Sequence, residues 1–134
     1  MRKFLIATHG TFSSGAKSSL EMIVGLIDNL FIIQGYLDDN QDIEDEIKTF
    51  LAQISNDDEL IAFTDILGGS VTNQLLQQFI KPNMHVVSGF NLPLLIDVVL
   101  ADADTPAAEV IEHAIVNAKD QLVYVTKLIN SASK

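Results

Sequence analysis

Phe4-Leu5-Ile6-Ala7-Thr8-His9-Gly10-Thr11 begins as an unbroken apolar run and ends on polar and small residues. A strand buried on both faces reads this way, because its side chains alternate into two separate cores. The pattern then changes period. Leu20, Ile23, Val24 and Ile27 fall at i, i+3, i+4 and i+7 within 13–30, which predicts a helix. Ser18 and Glu21 within it have the spacing of a capping box. The alternation continues to the other end of the chain. Residues 31–37, 60–64 and 84–88 read as strands, the first weakened by Gly35. Residues 42–54 carry Ile43, Ile47, Phe50, Leu51 and Ile54 on one helical face. A helix over 70–80 has Ser70 as a natural N-cap and stops at Lys81-Pro82-Asn83. A short apolar helix over 92–100 has Pro93 where proline costs little, and Thr105-Pro106 opens another that runs to Asp120. Leu122 to Thr126 reads as a last strand, and Ser131 to Lys134 as a frayed end. The expectation is one α/β domain over 1–134, a mostly parallel open sheet with helices on both faces.

Composition narrows the chemistry. With no cysteine, disulfides and thiolate metal sites are excluded. A formal net charge of −10, with eight scattered Lys and Arg, argues against nucleic acid and anionic membranes as direct partners. It permits steering of a partner with a basic face. The acidic runs Asp38-Asp39, Asp57-Asp58-Glu59 and Asp102 to Asp104 read as solvated loops and caps. The longest apolar-rich stretch, Leu92 to Ala101, contains Pro93 and Asp97 and falls far short of the roughly 20 residues a bilayer span needs. Arg2-Lys3 before the first apolar run lacks the long apolar region and cleavage site of a signal peptide, so the run is read as a strand.

Ligands of such sheets sit beyond the carboxyl ends of the strands, where the strand order reverses. Two loops there carry unusual residues: Thr8-His9-Gly10-Thr11 after the first strand, and Asp65-Ile66-Leu67-Gly68-Gly69-Ser70 after the third. In the order 2-1-3-4, strands 1 and 3 are neighbours, and His9 meets Asp65. A carboxylate that accepts one imidazole N–H fixes the tautomer and frees the other nitrogen to attack. It also stabilises the cation-like ring formed when a phosphoryl group is attached. Gly68, Gly69 and Ser70 can offer backbone N–H groups at a helix N-terminus, where anions are favoured. Thr8, Thr11, Ser13 and Ser70 add hydroxyls. Neither loop holds Lys or Arg, and the Gly-rich Lys-Ser/Thr loop of a nucleotide site is absent. No His or carboxylate cluster has metal-ligand spacing, so no metal or cofactor is expected. His85 lies in a strand pattern and His113 within a helix, and neither is expected to take part in the chemistry.

Three blocks together resemble the mannose-type (mannose/fructose/sorbose) enzyme IIA family of the sugar phosphotransferase system. They are Thr8-His9-Gly10, Asp65-x-x-Gly68-Gly69-Ser70 with Asn73 behind it, and Gly89-x-Asn91-x-Pro93. Each block alone is weak; their order and spacing agree over essentially the whole chain. The resemblance implies a cytoplasmic phosphotransferase component. The phosphocarrier protein HPr phosphorylates His9, and His9 passes the group to a histidine of a IIB domain. IIB in turn phosphorylates the sugar that the membrane IIC and IID components recognise and carry in. It implies attack by Nε2 of His9, Asp65 on Nδ1–H, Ser70 by the phosphoryl oxygens, and Gly89, Asn91 and Pro93 in the site wall. It also implies a homodimer in which the last strand crosses, antiparallel, to the edge of the partner's sheet.

The family often has an aromatic residue before Gly-Gly and a proline after the serine; here these are Leu67 and Val71. The alternatives are a subunit that feeds dihydroxyacetone kinase, a regulatory module that reports phosphorylation, and an anion-binding domain with no covalent step. Partner docking is expected on a mostly apolar surface around His9. Phe12, Leu67 and Phe90 are its candidates, each equally readable as core.

Overall fold

A computed structural model describes residues 1–38, 42–79 and 81–132. Strands β1 (Arg2–His9), β2 (Leu30–Gly35), β3 (Glu59–Thr64) and β4 (Met84–Ser88) form one parallel sheet in the order β2-β1-β3-β4. Helices α1 (Phe12–Val24), α2 (Ile43–Leu51), α3 (Ser70–Gln78), α4 (Leu92–Leu100), α5 (Ala107–Asp120) and α6 (Val125–Ala132) follow in chain order. The sheet order is the one the sequence predicts.

Two cores explain why the central strands are apolar on both faces. Phe4 and Ile6 of β1, with Ile61 and Phe63 of β3, face a core closed by α1, α4 and α5. Leu5 and Ala7, with Leu60 and Ala62, face a second core closed by Ile43, Ile47 and Phe50 of α2 and Val71 and Leu75 of α3. Helices α1 to α5 each bury one stripe; in α5 it is Ala107, Val110, Ile111, Ala114 and Ala118.

The element ends differ from the sequence reading where backbone geometry decides. The first helix stops at Val24, not at residue 30, because Gly25 turns left-handed at φ 92° and its N–H bonds to Glu21 O. Glu21 belongs to that end rather than to a capping box: its carboxylate accepts from Ile27 N at 3.0 Å. At α3 the N-cap position is Gly69, and Ser70 is the first helical residue. Asp39, Ile80, Ser133 and Lys134 lie outside the described residues.

The expected fifth strand is absent among the described residues. Residues 122–124 have no regular structure, and a helix runs from Val125 to Ala132. Val125, Leu128 and Ile129 continue at i, i+3 and i+4, a helical period hidden beneath a β-prone run. Leu122-Val123-Tyr124 pairs with no strand among the described residues, and β4 keeps β3 as its single partner there. The acidic run at 57–59 is a second correction. Asp58 is buried and pairs with Lys3 at 2.8 Å and with the Met1 amine at 3.4 Å. The Lys3 hydrogen bond, followed by one from Ser55 N–H, lowers the Asp58 carboxyl from 3.8 to about 2. Glu59 pairs with buried Arg2 at 2.6 Å. These pairs anchor the start of β1, the strand that carries the site at its other end.

Candidate functional site

β1 and β3 lie side by side with Ala7 opposite Thr64, so both chains leave the sheet at the same height. His9 and Asp65 therefore meet. Asp65 Oδ2 accepts from His9 backbone N–H at 2.9 Å and lies 2.9 Å from His9 Nδ1. Its other oxygen accepts from Ile66 N at 3.0 Å. Burial raises the Asp65 carboxyl, but the hydrogen bonds from the His9 backbone and ring, with the ring's charge, more than offset this and hold it below its ordinary value. An ionised Asp65 acts only as acceptor, so Nδ1 is the protonated nitrogen and Nε2 the one with a free lone pair.

Nε2 faces the start of α3. Ser70 Oγ lies 3.5 Å from it, too far for a strong hydrogen bond. A Cβ built on Gly69 would sit 3.6 Å from His9 Cε1, ordinary contact that places the start of α3 against the ring, and a tighter 3.2 Å from Ile66 O. No side chain caps α3, which leaves its first N–H groups turned toward the same space. Two braces hold this loop. Thr72 Oγ1 donates to Ile66 O at 2.7 Å, and Asn73 Nδ2 to Gly68 O at 3.3 Å.

The other expected residues divide by what they touch. Thr8 is fully buried, and its hydroxyl accepts from Ser13 N in the first turn of α1 at 2.8 Å. Ser13 is buried as well and donates to Ile33 O. These two shape the His9 loop and do not line the open side of the ring. Asn91 caps α4 by accepting from Leu94 N at 3.0 Å and ties it to Ala118 O, with Pro93 in the first turn. Gly89 N–H bonds to Thr64 O at 2.9 Å, which sets the third loop beside Asp65. Phe90 is 9% exposed, stacked 5.2 Å from Phe12 and edge-on to Phe63, so it belongs to the core. Phe12 and Leu67 are 53% and 81% exposed on the site's rim. His85 lies within β4; His113 is exposed on α5 with Nε2 3.3 Å from Asn117 Nδ2.

One neighbour of His9 has no counterpart in the sequence reading. The Tyr36 ring lies 5.6 Å from the imidazole, tilted by 31°. Tyr36 follows Gly35, which lies level with His9 on β2. A Cβ at Gly35 would meet Ile43 Cδ1 at 2.9 Å and Thr8 O at 3.0 Å, and its carbonyl accepts from Gly10 N at 2.7 Å. The next residue, Tyr36, is left-handed, φ 61°. No group of three or more His, Asp or Glu able to hold a metal occurs among the described residues.

Residues 3–115 match the family described as PTS system fructose IIA component, EIIA-man. Three solved structures are similar over nearly the whole chain. One is a candidate phosphoenolpyruvate-dependent sugar phosphotransferase system permease from Klebsiella pneumoniae, 33% identical, TM-score 0.90, covering 96% of this chain and 93% of that one. Another is the PTS IIA protein associated with the fucose utilization operon of Streptococcus pneumoniae, 30% identical, TM-score 0.80, covering 96% of both chains. The third is the phosphotransferase system component EIIA from Streptococcus agalactiae, 26% identical, TM-score 0.79, covering 95% of this chain and 99% of that one.

Proposed function

The chain belongs to the EIIA-man family of phosphotransferase system IIA components, and on that premise we propose that it carries the transferred phosphoryl group on Nε2 of His9. Its role as a sugar phosphotransferase system component follows from the family. The atom and the partners are our reading. The observation that carries it is that one carboxylate oxygen, Asp65 Oδ2, takes both the His9 N–H and Nδ1 at 2.9 Å. That sets which ring nitrogen carries the proton and leaves Nε2 open toward Ser70.

The step balances without a cofactor. The Nε2 lone pair of His9 attacks phosphorus on phospho-HPr. The old P–N bond breaks, and its electron pair returns to the HPr imidazole. The proton on Nδ1 stays in place, and Asp65 faces the positive charge that develops on the ring. Phosphoryl oxygens lie toward the Ser70 hydroxyl and the first N–H groups of α3, with Gly68 and Gly69 letting the backbone approach. Gly89, Asn91 and Pro93 set the wall on the β4 side. A IIB histidine then attacks the same phosphorus, and Nε2 recovers its lone pair. Thr8, buried with its hydroxyl taken by Ser13 N–H, is better read as a brace of the His9 loop than as a phosphate ligand.

Two further parts belong to this reading. No helix among the described residues is long and apolar enough to cross a membrane, which is compatible with the cytoplasmic setting HPr requires. A homodimer is supported by two features: the run Leu122, Tyr124, Val125, Leu128 and Ile129 is exposed along the C-terminal segment, and β4 pairs only with β3 among the described residues. No observation favours the dihydroxyacetone kinase branch, a regulatory module or a purely anion-binding domain.

Incubation with phosphoenolpyruvate, enzyme I and HPr tests the carrier role. The expected product holds one acid-labile, base-stable phosphate. His85→Ala and His113→Ala should accept it normally and His9→Ala not at all. Label persisting on His9→Ala would move the site elsewhere.

A further inference from the structure

Tyr36 is the only non-glycine residue with positive φ among the described residues. A bulky aromatic at such a position is uncommon; Gly, Asn or Asp normally occupies it. Backbone outliers of this kind cluster at functional sites, where the surrounding structure over-determines them. Here the surroundings are explicit. Gly35 is walled by Ile43 and Thr8 O, and its carbonyl is held by Gly10 N. The turn needs a left-handed residue, and a glycine would have met that need. Tyrosine adds a ring 5.6 Å from the His9 imidazole, 31° from coplanar, on a side chain 42% exposed.

We propose that Tyr36 is a positioning residue for His9: its ring limits rotation of the imidazole about its Cβ–Cγ bond, and its π face stabilises the cationic ring of the phosphorylated state. This rests on the reading of His9 as the phosphoryl carrier. Asp65 grips the ring through one nitrogen only, and a single hydrogen bond leaves the ring free to rock about it. A second contact, on the ring face, restrains that rocking and keeps Nε2 toward Ser70. A cation within about 6 Å of an aromatic centroid is attracted by the ring quadrupole. The form that attacks, with Nδ1–H and a lone pair on Nε2, carries no ring charge, whereas with phosphorus on Nε2 the ring becomes imidazolium-like. The attraction therefore grows on phosphorylation. The phenol oxygen has no part in this, so phenylalanine should serve as well as tyrosine.

Three variants separate the contributions. Tyr36→Phe keeps the ring, Tyr36→Leu keeps bulk without a π face, and Tyr36→Gly removes the ring and relieves the backbone. The phosphoryl equilibrium with HPr is measured for each by quenched label distribution. Tyr36→Phe should match wild type. Tyr36→Leu and Tyr36→Gly should shift the equilibrium toward HPr by about two- to fivefold, the size expected of an exposed cation–π contact. A second readout needs no phosphorylation. In ¹H–¹⁵N spectra of the resting protein, the His9 ring protons should show ring-current shifts that persist in Tyr36→Phe and vanish in Tyr36→Leu. Wild-type equilibrium in both Tyr36→Leu and Tyr36→Gly would overturn the proposal. So would a loss in Tyr36→Phe equal to that in Tyr36→Leu, since that assigns the effect to the hydroxyl. If wild type accepts no phosphoryl group, the carrier reading fails separately, and the ring-current arm still decides whether Tyr36 orients His9.

Discussion

Asp65 is where a single atom changes the outcome. Asp65→Asn keeps the shape of the side chain but places an oxygen or an NH2 against Nδ1 without a charge. If the NH2 faces the ring, Nδ1 must be the acceptor, and the proton moves to Nε2, the nitrogen that has to attack. By analogy with the aspartate of a catalytic triad, the transfer rate from HPr should fall by up to ~10⁴-fold. The melting temperature should change little, because Asp65 lies at the sheet's end rather than in either core. Transfer by Asp65→Asn at the wild-type rate would show that Asp65 does not orient the ring. The His9–Asp65 meeting was legible in the sequence, because each ends an apolar strand and the 2-1-3-4 order makes those strands neighbours. Tyr36 was not legible. It follows a glycine whose missing Cβ would strike Ile43 of α2 and Val71 of α3, tertiary neighbours that no local pattern encodes. A tyrosine also carries no sequence signal for positive φ.

At the scale of the elements, the first and third site loops are tied by one aromatic stack, and its two members should behave differently. Phe90 is packed between Phe12 and Phe63 beneath the loop. Phe90→Ala should cost about 3–5 kcal/mol, as buried Phe→Ala changes do. Phe12 is 53% exposed, so Phe12→Ala loses little beyond the stacking, about 0.5–1.5 kcal/mol. If the rim of Phe12, Ile66 and Leu67 receives HPr, Phe12→Ala should slow transfer while calorimetry shows only a small drop in melting temperature. A large drop for Phe12→Ala, with transfer per folded molecule unchanged, would remove it from the docking surface. Most element boundaries were readable from periodicity, and α4 and β4 fall on the expected residues. The C-terminal strand was not. Leu122 to Thr126 is β-prone by composition, but strand formation depends on a partner edge, whereas Val125, Leu128 and Ile129 can form a helix using local hydrogen bonds alone.

The whole molecule carries ten net negative charges, yet its proposed reaction gathers a phosphoryl dianion. The site resolves this locally. It sits where α3 begins, with no side-chain cap on that helix, and Asp65 is occupied by His9 rather than facing the open space. The acidic remainder is suited to steering a basic partner. Apolar residues Leu128 and Ile129 are about 60% exposed on α6, a surface that should be covered in solution by a second copy. Sedimentation equilibrium should give a dimer for wild type and a monomer for Leu128→Asp/Ile129→Asp. A dimer of unchanged affinity in the double variant would place the interface elsewhere. The most direct test of the central claim is ³¹P–¹⁵N correlation on the phosphorylated, ¹⁵N-histidine-labelled protein. Phosphorus coupled to Nε2 of His9, with Nδ1 of the same ring protonated, is the predicted result. Coupling to Nδ1 of His9, or to either nitrogen of His85 or His113, would contradict it.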